Sequence, residues 1–348
     1  MEGPIRVLMI TSGWPTPGKP QTTHFIKRQV DFLRQAGIEV DVFHLRGAKN
    51  PWNYARGWWL VRPRLRTGRY HLVHAQFGQS GLLALPRRLP LVVTLRGSDL
   101  LGIVGAEGRN TRTGRLLNWL VRLVARRADA VVVVSEHMKA HFRTSAPVVV
   151  LPSGLDLERF APVSREEARR RLGLAPEKHL VLFAGDPKNP RKRYGLARQA
   201  VDLVNLVVPA ELVVAWGVPH TDMPYLMSAC DALVFTSQQE GSPNVVKEAL
   251  ACNLPVVSVA VGDVADRLRS VVGCELCADE QPMNIAAALE RVLRRGGRVA
   301  GRQAVSHLEE GLLTQRLIEV YRSVIERHAA ARGRVVSPTE TSATPQTG

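Results

Sequence analysis

The chain has 348 residues, 45% of them hydrophobic, which is enough for two domains with ordinary apolar cores. Its net charge of +16 is uneven: residues 1–150 carry 23 Lys and Arg against 8 Asp and Glu, whereas residues 151–348 carry 24 against 23. No apolar run reaches the roughly 18 residues that cross a bilayer, and no signal-peptide pattern is present, so we expect a cytoplasmic protein.

The first half alternates short apolar runs with helical patterns, which is typical of a doubly wound parallel sheet. Continuous runs such as Val131–Val134 indicate strands that are covered on both faces. Strands are expected at Arg6–Thr11, Glu39–His44, Leu72–Phe77, Leu91–Arg96, Ala130–Ser135 and Val148–Leu151, and helices at Thr23–Gln35 and Arg115–Arg127.

The second half repeats this plan after a linker-like segment that starts near Pro152. Strands are expected at His179–Ala184, Glu211–Ala215, Ala232–Thr236 and Pro255–Val259, and helices at Lys192–Val204, Met223–Cys230, Asn244–Cys252, Met283–Arg294 and Thr314–His328. This pattern predicts an N-terminal domain over 1–152, a C-terminal domain over 153–312, a helix over 313–332 that packs back toward the first domain, and a disordered tail over 333–348. Ligands of open α/β sheets bind at the carboxyl ends of the strands, so the loops after the strands are the candidate site.

One such loop leads into a helix with two flanking carboxylates. Pro243 is expected at the first helical position, with Ser242 as the N-cap. The free amides and the positive end of the helix dipole then form an anion site, suited to a diphosphate. Glu240 and Glu248 lie on either side, placed to contact sugar and ribose hydroxyls, and Gly241 allows close approach of a ligand to the backbone.

The run Glu240–Glu248, EGSPNVVKE, is followed by a Pro-Val-Val strand and closely resembles the donor-binding signature of the family 4 retaining glycosyltransferases, or glycosyl transferases group 1. Further segments resemble the family in the same order along the chain, over roughly residues 5–330. They are Thr94–Asp99, Val134–Glu136, Pro152–Phe160, Phe183–Gly185 with Asn189–Tyr194, and Pro224–Ser237. The resemblance implies the GT-B fold, in which two Rossmann-like doubly wound domains face each other across a cleft.

The resemblance also implies roles for individual residues. Glu240 and Lys192 are the expected catalytic residues, with Glu240 on the donor sugar and Lys192 neutralising the diphosphate. The expected donor-binding residues are Gly185, Arg191, Lys192, Gly241, Ser242, Pro243, Asn244, Val245 and Glu248, and the expected acceptor-side residues are Gly13, Arg96 and Asp99. The chain departs from the family where Asp186 stands in place of an arginine, for which Arg191 is the proposed substitute, and where Arg96 stands in place of a histidine.

The activity implied by the resemblance is metal-independent, retaining transfer of a hexose from a nucleotide-diphosphate sugar, with no cofactor. The expected acceptor is a glycan or a lipid-linked acceptor in cell-surface polysaccharide synthesis. Two alternatives remain open: a nucleotide-sugar epimerase of the same fold, and a catalytically silent subunit that binds a partner transferase.

The basic first half points to an anionic partner. Nucleic acid is not expected, because the chain carries no nucleic-acid-binding motif. The segment Pro51–Arg66 combines tryptophans with arginines, a composition that favours the surface of an anionic membrane. Alternatively, its tryptophans pack under the sheet. Cys274 and Cys277 form a lone C-x-x-C without a second ligand pair, so no metal site is expected.

Overall fold

A computed structural model describes residues 3–16, 23–48, 50–102, 111–175 and 177–335. Of the expected disordered tail over 333–348, residues 336–348 lie outside the described residues, and residues 333–335 are helical.

The first of two parallel sheets is built by residues 6–150. Its strands are β1 Arg6–Thr11, β2 Glu39–His44, β3 Leu72–Gln76, β4 Leu91–Leu95, β5 Ala130–Val133 and β6 Val148–Val150. They lie in the order β2-β1-β3-β4-β5-β6, with every described pair parallel. The strands β3 to β5 are buried along their whole length, as the continuous Val run of β5 predicts for strands covered on both faces.

The second sheet repeats this arrangement. Its strands are β7 His179–Ala184, β8 Ala210–Ala215, β9 Ala232–Phe235, β10 Val256–Ser258 and β11 Glu275–Leu276. The order is β11-β10-β9-β7-β8, again parallel throughout the described strands. Two doubly wound sheets were expected, and the described part of the chain confirms them.

Helices cover the faces of both sheets. In the first half they are α1 His24–Gln35, α2 Pro51–Arg66, α3 Ser98–Leu101, α4 Arg112–Arg127 and α5 Glu136–Lys139. In the second half they are α6 Arg165–Leu172, α7 Tyr194–Val204, α8 Met223–Ala229, α9 Asn244–Ala251, α10 Val264–Leu268, α11 Pro282–Arg295, α12 Gly301–Val305 and α13 Glu310–Val335. Helix α7 begins two residues later than predicted, because Pro190–Lys192 forms a 3-10 turn and Arg193 has φ 51°.

The two domains share a core. One cluster of buried side chains includes Met9 and Val30 from the N-terminal domain together with Val181 and Leu250 from the C-terminal domain. Helix α13 extends further at both ends than the expected helix over 313–332, and it packs against α1. The hydroxyl group of its buried Tyr321 lies 2.6 Å from His74 Nδ1 in β3, so α13 is hydrogen-bonded to the first sheet.

Candidate active site

The loop after β9 leads into α9, but not with the capping that the sequence predicted. Pro243 is the N-cap, with an extended ψ of 121°, and Asn244 is the first helical residue. The expected N-cap, Ser242, instead accepts a hydrogen bond from Arg267 at 3.3 Å. A proline ring fixes φ near a value that helical and extended backbone share, so it does not decide between the two positions. Because no side chain caps α9, its first-turn amides remain an anion site.

Lys192 and Glu240 form an ion pair close to the start of α9. Lys192 Nζ donates to Glu240 Oε1 at 2.7 Å, and the two side chains are 19% and 16% exposed. A Cβ atom at Gly185 would lie 3.2 Å from Lys192 Cγ, so the glycine leaves room for the lysine stem. Loops after two different strands, β7 and β9, thus bring together the two residues predicted to be catalytic.

Glu248 lies one turn further along α9 and is fixed by a histidine that was not among the predicted residues. His220 Nε2 is 3.5 Å from Glu248 Oε1, and Arg159 Nη1 is 3.3 Å from His220 Nδ1. Since an arginine can only donate, His220 accepts at Nδ1 and carries its proton on Nε2, toward the glutamate. Burial alone would raise the pKa of Glu248, but the hydrogen bond from His220 and the charges of Arg28 and Lys247 bring it below its usual value.

The same histidine contacts the N-terminal domain. The His220 and His24 rings stack with centroids 4.6 Å apart, and Phe160 contacts His220 edge-on at 5.2 Å. Burial and the neighbouring His220 lower the pKa of His24 to about 4, so this stack contains a neutral His24 at neutral pH. The stack joins α1 to the loop after β8.

A cavity of about 310 Å³ connects these groups across the two domains. Its lining residues include His24, Phe25 and Arg28 from the first domain and Gly185, Lys192, His220, Glu240, Pro243, Asn244, Val245 and Glu248 from the second. The Asn244 side-chain oxygen is buried and has no hydrogen-bond partner within the described chain. An unsatisfied polar atom in a cavity of this kind fits a hydroxyl-bearing ligand.

Three of the predicted donor-binding residues do not line this cavity. Gly241 lies against the N-terminal domain, Ser242 binds Arg267, and the side chain of Arg191 has a buried Nε without a partner in the described chain. The backbone oxygen of Arg191 accepts from the Gln238 amide at 2.9 Å, which ties the loop after β7 to the loop after β9.

The predicted acceptor-side residues lie outside the cavity as well. Arg96 stacks on Phe25 at 4.6 Å and donates to Gln76 at 2.6 Å and to Ser153 Oγ at 2.6 Å. Burial lowers its pKa to about 10. Asp99 is buried, and its carboxylate accepts from the amides of Arg96 and Gly97 at 3.0 and 2.9 Å, so it holds the loop after β4 in place.

Three residues with polar contacts near the site were not predicted, namely Arg28, Lys247 and His220. Arg28 donates to the buried Glu310 at 2.6 Å, and Lys247 Nζ donates to the Ser153 carbonyl oxygen at 2.9 Å. His220 lies in a loop, 217–223, that the strand pattern marks as facing the cleft, but no motif distinguishes it there. Each of these contacts joins residues that are far apart in sequence, and spacing along the chain cannot reveal them.

The described residues contain no group of three or more His, Cys, Asp and Glu side chains placed to hold a metal ion. Cys274 and Cys277 are free thiols. No helix in the described part of the chain is both long and apolar enough to cross a membrane.

Two family models match the chain. The one described as Glycosyltransferase Family 4 matches residues 5–159, and the one described as Glycosyl transferases group 1 matches residues 170–295. The D-inositol 3-phosphate glycosyltransferase of Geodermatophilus obscurus is 27% identical over 318 residues, covering 81% of this chain and 67% of that protein. The Mycobacterium marinum protein of the same name is 28% identical over 312 residues, covering 77% and 67%. The chain therefore spans about two thirds of the length of these relatives.

Solved structures share the arrangement of the two domains. Sucrose-phosphate synthase from Thermosynechococcus elongatus superposes with a TM-score of 0.75 at 18% identity, covering 93% of this chain and all of that chain (100%). HepE from Anabaena, solved with UDP and glucose, superposes with a TM-score of 0.67 at 17% identity, covering 91% and 99%. Since the two family models together cover both domains, the chain belongs to the family 4, or group 1, glycosyltransferases of the GT-B fold.

Proposed function

We propose that the cavity between the domains binds a nucleotide-diphosphate sugar and that the chain transfers the sugar, with retention, to an acceptor held by the N-terminal domain. The observation that carries this proposal is the Lys192–Glu240 pair beside the uncapped start of α9. A cation, a set of free amides and a carboxylate that can bind hydroxyl groups meet at one place, and a sugar diphosphate offers a partner for each.

Transfer breaks the bond between the sugar and the diphosphate, and negative charge develops on the leaving phosphate. Fixed cations and dipoles aimed at that charge are usually the largest catalytic term. Lys192 and the first amides of α9 supply them, and Glu240 holds the lysine in place until the diphosphate arrives. The proton of the attacking acceptor hydroxyl leaves with the nucleoside diphosphate. In this scheme no side chain forms a covalent intermediate.

Glu248 is the proposed ligand of the ribose hydroxyls. Its ionised form accepts hydrogen bonds, and His220 keeps it both ionised and oriented. The solved relative with bound UDP and glucose supports a nucleotide-sugar donor.

The proposed acceptor is a glycan or a lipid-linked acceptor in cell-surface polysaccharide synthesis, with the chain bound to the inner face of the membrane. Helix α2 supports the membrane contact. Trp52 and Trp59 are 80% and 72% exposed, whereas Trp58 turns inward and donates to the Leu85 carbonyl oxygen at 2.6 Å. Trp58 thus packs inward, as the alternative interpretation expects, and Trp52 and Trp59 are free to make the proposed membrane contact. Flotation with anionic liposomes tests this membrane contact. If the protein does not bind the liposomes even at low salt, the proposed contact is wrong.

Release of nucleoside diphosphate tests the activity. We expect Lys192→Ala and Glu240→Ala each to lower turnover by about a hundredfold or more, the scale of losing one such charge-stabilising group. Lys178 and Glu211 form an exposed ion pair of the same type, 59% and 58% exposed, and Lys178→Ala is the matched control with unchanged turnover.

Near wild-type rates in both Lys192→Ala and Glu240→Ala would contradict the assignment of these residues to catalysis. The two alternative functions predict different results in the same assay. An epimerase converts the sugar nucleotide without releasing nucleoside diphosphate, and a silent subunit binds the donor without turnover.

A further inference from the structure

A second, larger cavity lies in the N-terminal domain, apart from the candidate donor site. Its volume is about 920 Å³, in the range of small-molecule sites. Gly13, Gly47 and Gln79, which line it, follow β1, β2 and β3, and these strands are neighbours in the sheet. The cavity therefore lies at the carboxyl edge of the sheet, where open α/β sheets bind ligands.

The lining of this cavity is mainly apolar. Its walls come mainly from the loop after β1 and from α2 and α4, and they include Trp14, Pro51, Tyr54, Leu116, Leu117 and Leu120. Among the described residues that line it, none is Asp, Glu, Lys or Arg. The polar side chains in the lining are uncharged and belong to Ser12, Thr16, His44, Tyr54, Gln79 and Thr113. A sugar or an inositol ring, with a hydroxyl group on nearly every carbon, would therefore find few strong partners there. A hydrocarbon chain needs none.

The helices that form the walls continue outward as a basic, aromatic surface. Neither α2 nor α4 contains an acidic residue. Besides Trp52 and Trp59 on α2, the side chains of Leu116 and Trp119 on α4 are 58% and 60% exposed. Arg56 and Arg115 are exposed on the same two helices. This combination favours an anionic headgroup at the mouth and a chain inside.

The cavity is connected to the donor side through backbone contacts. Gln79 follows Gly78, whose amide donates to Asp99 at 2.9 Å. Asp99 also accepts from Gly97 at 2.9 Å, and a Cβ atom at Gly97 would lie 2.9 Å from the Gly241 nitrogen. One short loop therefore supports the cavity wall on one side and touches the donor motif on the other.

We propose that the cavity binds the hydrocarbon chain of a phosphate-linked lipid acceptor, whose phosphate lies among the arginines at the mouth. This inference rests on the proposed glycosyl transfer and narrows its acceptor from a glycan or a lipid to a lipid. It places the apolar chain between α2 and α4, and the phosphate with the sugar-accepting end beyond it at the mouth.

Calorimetric titration with methyl, hexyl and decyl phosphate, all below their micelle concentrations, tests the cavity without any donor. We expect affinity to rise with chain length, by about three- to fourfold for each fully buried methylene group. Leu116→Gln should weaken decyl phosphate binding by about tenfold and leave methyl phosphate binding unchanged. The substitution is safe for the fold because Leu116 is 58% exposed.

Leu60→Gln is the matched control, since Leu60 is 56% exposed on α2 but does not line the cavity. It should bind decyl phosphate as the wild type does. Equal affinity for the three phosphates would overturn the proposal, and so would equal weakening by Leu116→Gln and Leu60→Gln, which would show adsorption to the helix surface. Because the titration contains no nucleotide, its failure alongside normal release of nucleoside diphosphate would remove the lipid acceptor and leave the glycosyl transfer standing.

Discussion

A methyl group added at Gly241 would press directly on the contact between the two domains. A Cβ atom there would lie 2.7 Å from the Arg96 carbonyl oxygen, 2.9 Å from Met138 Sδ and 3.1 Å from Val134 Cγ2. All three atoms belong to the N-terminal domain, whereas Gly241 lies between Glu240 and α9. The Arg96 oxygen is part of the backbone and cannot rotate away, so relief requires the domains to separate at the site.

The size of the effect follows from this overlap. Ordinary contacts between non-bonded heavy atoms lie near 3.5 Å, so Gly241→Ala must displace the loop or the domain by about 0.5 Å or more. A misplacement of about 1 Å can cost roughly a hundredfold in rate. We therefore expect turnover to fall by about ten- to a hundredfold, with a loss of stability of about 1–3 kcal/mol.

The assay is the initial rate of nucleoside diphosphate release, with circular dichroism to verify the fold. Gly195→Ala is the control: Gly195 is in α7 with no atom within 4 Å of its added Cβ. That variant should keep full activity and gain about 0.5–1 kcal/mol of stability. A folded Gly241→Ala protein with the wild-type rate would refute the idea that the domains position the donor through this contact.

Three further predictions concern titratable side chains. Burial lowers the pKa of Lys247 to about 7, so the unfolded chain binds an extra proton between about pH 7 and 10.5. The free energy of unfolding should rise with pH across that window by about 1 kcal/mol per unit, and Lys247→Met should lack this rise in urea titrations. Burial lowers the pKa of His74 to about 3, so between about pH 6.5 and 3 the unfolded chain binds a proton that the folded chain does not. The free energy of unfolding should therefore fall on acidification across that window, and an equally steep fall in His74→Gln would contradict this prediction. His220→Ala removes the contact with Glu248 and should raise the KM for the donor about tenfold with little change in kcat. His220→Gln should retain part of the affinity for the donor. An unchanged KM in the alanine variant would show that the contact does not orient Glu248.

The sequence predicts the fold well because each strand or helix is indicated by residues that are close together along the chain. Parallel strands that are covered on both faces read as continuous Val and Leu runs, and 131–134 is such a run. Helix α2 was not predicted as a helix, because Pro63 interrupts it and its apolar residues keep no regular helical spacing. The predicted range Asn244–Cys252 gave the start of α9 correctly, but the cap was placed one residue early, since proline suits both the N-cap and the first helical position in φ.

Some residues of the candidate site can be recognised in the sequence, and others cannot. Glu240 and Glu248 stand out in sequence because one short motif contains both. Lys192, 48 residues from Glu240, was predicted only because a second segment also resembles the family. His220 and its contact Arg159, 61 residues apart, were not predicted. Only the packing of the two domains brings His24 onto His220. Contacts of this kind depend on how the sheets face each other, which residue spacing does not encode.

A thermal-shift panel of UDP-, GDP- and ADP-sugars tests the central claim most directly, namely that the cavity between the domains holds a nucleotide-diphosphate sugar. At a ligand concentration about 100 times Kd, binding adds about 2.7 kcal/mol of stability, and Tm should rise by several degrees for at least one member of the panel. The same ligand should shift Glu248→Ala and Lys192→Ala far less. If no member of the panel raises the Tm of the wild-type protein, or if it stabilises both variants as much as the wild type, the proposed donor site is wrong.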